Sequence, residues 1–383
     1  MWAVIRGRQG LPYEHSLQPS FESNVEQLVA FSCKPNPQEL PVDAVTLAFE
    51  RFTHPKLTKL INADELVHRQ KALAMIDKLC CAPTEVAKFL EVGVVQALNK
   101  ATSDSDGDVR VLASHVLLLV AREKAGRDHM LNAGTIIVLQ RLLFDGEQQV
   151  RAHACQALAA LCIETKMTEE VVETGTVAHL VERTKHENDE VMPHTLYALK
   201  MCLMHMQGLT AAIEVGAISA MASLLSSHSP AVREAACQNL FCLAVPMDGK
   251  SSCLDEGSVP GLFPRLVELL LEPYSHVQAE AAAALMAMSV SIPAKHKAVE
   301  CNACEALAKL LVSEEVSAKL RTNIIKLISL LGESPKGRAA LMHVVPTLEE
   351  ISEQGRFAPP DAEHAALLRA HAQRALAIIT WTP

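Results

Sequence analysis

Apolar residues recur at i, i+3, i+4 and i+7 along most of the chain, the stripe of amphipathic helices, and no β-rich segment interrupts them. The stripes also resemble one another. VRAHACQALAALC from Val150, VREAACQNLFCLA from Val232 and LRAHAQRALAIIT from Leu368 place Ala, Leu and Cys alike over about four turns, which predicts one long helix in each. LRTNIIKLISLLG around Arg321 and HRQKALAMIDKLC around Arg69 are further copies, and eight are readable, at positions 69, 110, 151, 192, 233, 278, 321 and 369. Two shorter apolar segments precede each long one, such as LTAAIEV (Leu209 to Val215) and AISAMASLL (Ala217 to Leu225), which predicts a unit of three helices.

The period is set by single residues. Gly93, Gly134, Gly175, Gly216 and Gly257 stand 41 positions apart, and Arg69, Arg110, Arg151, Met192 and Arg233 keep the same step. Both markers then lengthen to 45, to Asn302 and Gln278, so a single insertion of four residues is expected within Ser258 to Pro264. A glycine after the first helix takes the left-handed conformation without steric cost, and Asn tolerates it next best, so this position is expected to be a hinge between the first and second helices.

Three helices in about 40 residues, with Gly after the first and Val-Arg opening the third, resemble the armadillo repeat. The resemblance implies an all-α, right-handed superhelical solenoid of about eight repeats over residues 42–383, stabilised by stacking of each unit on its neighbours. Residues 1–41 differ: Pro12, Pro19, Pro35, Pro37 and Pro41 break long helices, so an irregular arm is expected, with one short helix allowed at Phe21 to Phe31.

Composition narrows the chemistry. Aromatics at 4% within a 49% hydrophobic fraction suit closely stacked helices, and a net charge of −9 with no basic run of five argues against nucleic-acid binding. No apolar run reaches the ~20 residues of a membrane span and no secretory leader is evident, so a soluble intracellular protein is expected. Cys155, Cys162, Cys237 and Cys242 fill slots that hold Ala or Leu in other copies, and are read as reduced, buried thiols.

No enzyme motif stands out. Cys301 and Cys304 are spaced as half of a zinc site, but no second pair matches them, and packing is the better reading. His115, His153, His179, His194, His205 and His371 lie on separate repeats without a zinc-helix partner, and neither a phosphate loop nor a nucleophile elbow is present. The expectation is a non-enzyme with no cofactor, metal or small-molecule substrate. The Arg series, including Arg321 and Arg369, is read as a structural joint rather than a ladder for an acidic partner, with Asp106 and Asp108 near Arg110 and Glu147 near Arg151 as intramolecular partners.

Import receptors of the armadillo class offer a Trp and, four residues later, an Asn from successive third helices. Here the first slot holds Ala74, His115, Gln156, Tyr197, Gln238, Ala283, Lys326 and Arg374, and no repeat keeps the pair. The polar row His115, Gln156, Tyr197 and Gln238 is nevertheless a candidate groove for an extended peptide.

Four stretches, HRQKALAMIDKL (His68 to Leu79), VPMDGK (Val245 to Lys250), SPKGRAALM (Ser334 to Met342) and IITWTP (Ile378 to Pro383), resemble the radial spoke head 14 homolog family, an armadillo component of the ciliary axoneme. That resemblance runs from about residue 43 to the C-terminus. It implies a non-enzymatic scaffold of the radial spoke in motile cilia or flagella, with other spoke proteins as partners and a place in the cytoplasm, cytoskeleton and axoneme. The runner-up expectation is a soluble adaptor that captures a peptide in its concave groove.

Overall fold

A computed structural model describes residues 52–381, and every element among them is helical. The arm expected over residues 1–41, with its short helix, lies outside the described residues. Eight long third helices are present: Leu66–Leu79, Gly107–Arg122, Gln148–Leu161, Met192–Leu203, Pro230–Leu243, Ser275–Met288, Ala318–Gly332 and Ala362–Ile379. Each packs on the next, and the first and second helices of each unit, such as Pro83–Glu91 and Val94–Ala101, lie against their own third helix and the neighbouring unit. The core is therefore a continuous seam, with Leu73, Leu117, Leu158, Leu199, Leu240, Leu285 and Ile328 wholly buried along it.

The hinge forms as the period implies at five positions. Gly93, Gly134, Gly175 and Gly216 have φ between 63° and 78°, and Asn302 takes φ 61° in the same role. Gly257 does not belong to this series. The left-handed residue before helix Leu262–Leu270 is Gly261, φ 71°, so the four extra residues lie ahead of the hinge, between Leu254 and Gly261. Gly257 caps a turn instead: its N–H donates to Asp255 Oδ1 at 3.1 Å, and the Ser258 hydroxyl donates to Asp255 Oδ2 at 2.6 Å. The 41-residue coincidence arose because the insertion carries a glycine of its own.

A second glycine series keeps the same register for a different reason. Gly126, Gly208, Gly249 and Gly337 sit in the first helices where these cross the end of the preceding third helix. A Cβ there would come within 1.8–2.2 Å of the carbonyl oxygens of Val120, Cys202, Leu243 and Leu331. The last unit is built differently: short helical turns from Met342 to Gln354 replace a regular second helix, and Gly355, φ 69°, leads to the 18-residue helix Ala362–Ile379.

Candidate partner-binding surface

The loop between each second and third helix presents backbone carbonyls that need donors, and the Arg of the repeat supplies those donors. Arg69, Arg110, Arg151 and Arg233 each donate from Nη1 to the carbonyls six and five residues before, at 2.7–3.3 Å. Arg321 donates to the carbonyls of Leu311, Ser313 and Val316, and Gln278 takes over the task in its repeat, donating from Nε2 to the Leu270 and Glu272 carbonyls. The far side of the guanidinium meets a carboxylate of the next repeat: Asp104 for Arg69, Asp145 for Arg110, Glu187 for Arg151 and Glu272 for Arg233. The series is thus an intramolecular staple. Its carboxylates come from the following unit, not from Asp106, Asp108 or Glu147, because the loop turns the guanidinium towards the neighbour. Met192 is buried in this slot without such bonds, and Arg369 in the last helix is exposed.

A second set of basic residues repeats this device one helix later. Arg127 Nη1 donates to the carbonyls of Ala121 and Arg122, and its Nε donates to Glu164 at 2.8 Å. Lys250 bonds the Val245 carbonyl, and Arg338 bonds those of Gly332 and Glu333. Each basic residue directly follows a glycine of the close-approach series. The Gly-Arg and Gly-Lys pairs at 126, 249 and 337 were visible as a repeat, but only for a reader who had aligned the first helices as well as the third.

Along the candidate groove the polar row is largely engaged with its own neighbours. His115 Nδ1 pairs with Asp77 at 2.5 Å, and its ring lies 4.9 Å from that of His153. Gln156 reaches His194 at 3.3 Å, and Gln238 accepts from Lys200 at 2.9 Å while donating to Glu234. Tyr197 is the row member left exposed, at 53%. Burial, with the charges of His115 and His194, pushes the His153 imidazole down to about 4. Further along, the same row ends in cations: Lys326 and Arg374, with His371, rim a cavity of about 360 Å³ floored by Met286, Ala287, Val290 and Leu330.

Cys155, Cys162 and Cys237 are buried in the core, and Cys242 is half-buried. Burial lifts the Cys155 thiol to about 12. Cys162 and Cys202, on adjacent repeats, bring their sulfurs to 3.5 Å. Cys304 packs inside and Cys301 lies half-buried across Asn302. Among the described residues no group of three or more His, Cys, Asp or Glu side chains is arranged to hold a metal ion, and no single helix is long and apolar enough to cross a membrane.

No protein-family profile matches the chain. A 113-residue stretch is 34% identical to radial spoke protein 14 of Chlamydomonas reinhardtii, covering 29% of this chain and 29% of that protein's length. An engineered protein superimposes over 87% of this chain and 79% of its own, with a TM-score of 0.75 and 23% identity. A designed armadillo repeat protein covers 61% of this chain with 99% of its own at TM-score 0.55 and 23% identity, and another, solved with the peptide (KR)4, does so with 98% of its own at 0.56 and 23%. Over the described residues the chain is an all-helical armadillo solenoid, and over 29% of its length it is similar to a radial spoke protein.

Proposed function

We propose that this chain is a non-enzymatic scaffold subunit of the radial spoke in motile cilia or flagella, docking other spoke proteins along its helical surfaces and residing in the axoneme. The observation that carries this reading is the 34% identity to a radial spoke protein over 113 residues. The fold supports it physically. A row of stacked helices has long faces and edges to offer several neighbours at once, and here its charged joints are spent on holding the row together. In fractionated, salt-extracted axonemes the chain is expected to sediment with the spokes. Recovery only from soluble cytosol would refute the assignment.

The alternative is an adaptor that captures an extended peptide on His115, Gln156, Tyr197 and Gln238. The exposed Tyr197 favours it, whereas the internal bonds of the other three count against it. Substituting Gln156 and Gln238 with Ala leaves the fold intact, and on this reading it weakens partner capture. Unchanged capture removes the groove from consideration.

A further inference from the structure

One edge of the solenoid carries apolar side chains that nothing in the described structure covers. They lie at the turns from each third helix into the next first helix, in two slots two residues apart. Ile163, Met204, Val245 and Val290 hold the first slot, and Met206, Met247 and Ile292 the second, all between 56% and 68% exposed. Their spacing follows the repeat, 41, 41 and then 45 across the insertion, so the turns form consecutive rungs. Adjacent turns are tied together: His205 Nε2 donates to the Cys162 carbonyl at 2.9 Å, and its Nδ1 pairs with the Thr165 hydroxyl at 3.3 Å. The stripe exposes on the order of 800 Å², about what one partner contributes to a standard interface and more than a monomer ordinarily leaves bare.

The stripe is bounded by charge. One repeat earlier the same two slots hold Arg122 and Lys124, both exposed and, among the described residues, neither in an ion pair. One repeat later they hold Glu333 and Pro335, and the Glu333 carboxylate is already bonded to Lys295. The middle turn, Leu203 to Gln207, has no carboxylate or ammonium group at all.

These features select the occupant. Packed helices lie about 8–10 Å apart, and seven residues of an α-helix rise about 10.5 Å, so an apolar side chain every heptad meets one rung after another. Methionine side chains, three of the seven, adapt to such a seam. Arg122 and Lys124 call for carboxylates at one end. A second copy related by a two-fold axis would set that basic pair against the Glu333 end, whose carboxylate is taken. We propose that this edge seats an amphipathic helix of a partner protein, about four heptads long, with its apolar seam along the turns and its acidic end on Arg122 and Lys124. The proposal rests on the scaffold reading only in requiring a protein partner.

The probe is a fluorescein-labelled synthetic helix of about four heptads, with Leu at the seam positions and Glu in its last turn, and a counterpart with Lys there. Anisotropy titration of the purified full chain is expected to give one peptide per chain and a preference for the Glu form. M206D/M247D weakens binding at least about tenfold with unchanged thermal unfolding, and R122E/K124E turns the preference towards the Lys form. Unchanged affinity in M206D/M247D, an unchanged preference after charge reversal, a dimer in sedimentation that M206D/M247D abolishes, or crosslinks from these turns to residues 1–41 would each overturn it. Axonemal sedimentation is a separate readout, so failure of the peptide to bind leaves the spoke assignment standing.

Discussion

Arg110 and Asp145, 35 residues apart, are joined by two parallel hydrogen bonds, Nε to Oδ2 at 2.9 Å and Nη2 to Oδ1 at 3.1 Å. The same guanidinium holds two carbonyls of its own loop, so one side chain fixes the entry of its helix and the distance to the next unit. Arg110→Ala is expected to destabilise the fold by about 2–3 kcal/mol, because it strands a largely buried carboxylate as well as two carbonyls. Arg110→Lys restores little of this, since an ammonium has no planar fork. Urea denaturation of the variants measures both.

Gly257 and Gly261 give unequal outcomes when changed to alanine. At Gly261, φ 71°, the cost is about 1–2 kcal/mol, because a Cβ is strained in the left-handed region even though the space is open. At Gly257 the change stays within about 0.5 kcal/mol, because φ is not left-handed there and the nearest atom, Asp255 Oδ1 at 3.3 Å, has only to give by a few tenths of an ångström. Paired thermal melts decide between them, and equal losses would contradict the placement of the insertion.

Gly249→Ala is expected to cost about 3 kcal/mol or more, through collision and not through strain in φ. The added methyl would meet the Leu243 carbonyl oxygen at 1.8 Å, and one helix must move away from the other. Because each unit stacks only on its neighbours, hydrogen exchange should show the loosening concentrated around residues 230–254.

Thiol chemistry separates surface from core. Cys155, Cys162, Cys202 and Cys237 are buried, and burial raises the Cys155 and Cys237 thiols. Maleimide therefore modifies exposed Cys81 in the folded chain and leaves these four untouched until denaturant is added. Peptide mapping of the alkylated protein reads the pattern directly.

His153 makes stability depend on pH. Its imidazole is held down at about 4, first by burial and then by the neighbouring His115 and His194, against an ordinary value of 6.5; the Val111 carbonyl and Asp77 oppose this only partly. Between these values the unfolded chain binds the proton and the folded chain does not, so this contribution is complete above pH 6.5 and is lost as pH falls towards 4. His153→Gln is expected to flatten the fall in the urea midpoint between pH 6.5 and pH 5, a comparison that wild type and variant provide side by side.

The period alone determined much of this protein. The helical class, eight third helices, a left-handed hinge at Gly93, Gly134, Gly175, Gly216 and Asn302, and thiols in apolar slots all follow from local constraints, and such constraints recur at fixed spacing when the unit recurs. Spacing fails where two explanations share a number. Gly257 and Gly261 both suit a count of residues, and only the φ of the folded chain tells which one turns the backbone. The partners of Arg110 and Arg151 were misassigned to near neighbours in sequence because the carboxylates that matter lie a whole repeat away. The row from His115 to Gln238 looked free until stacking brought Asp77, His194 and Lys200 to its side chains. Nothing in the helical pattern marks the methionines at 204, 206 and 247 as exposed, and tertiary packing put them on an open edge. Sequence fixes what each residue can do within its own helix, and the approach of one helix to another decides which of those capacities are used up and which remain for a partner.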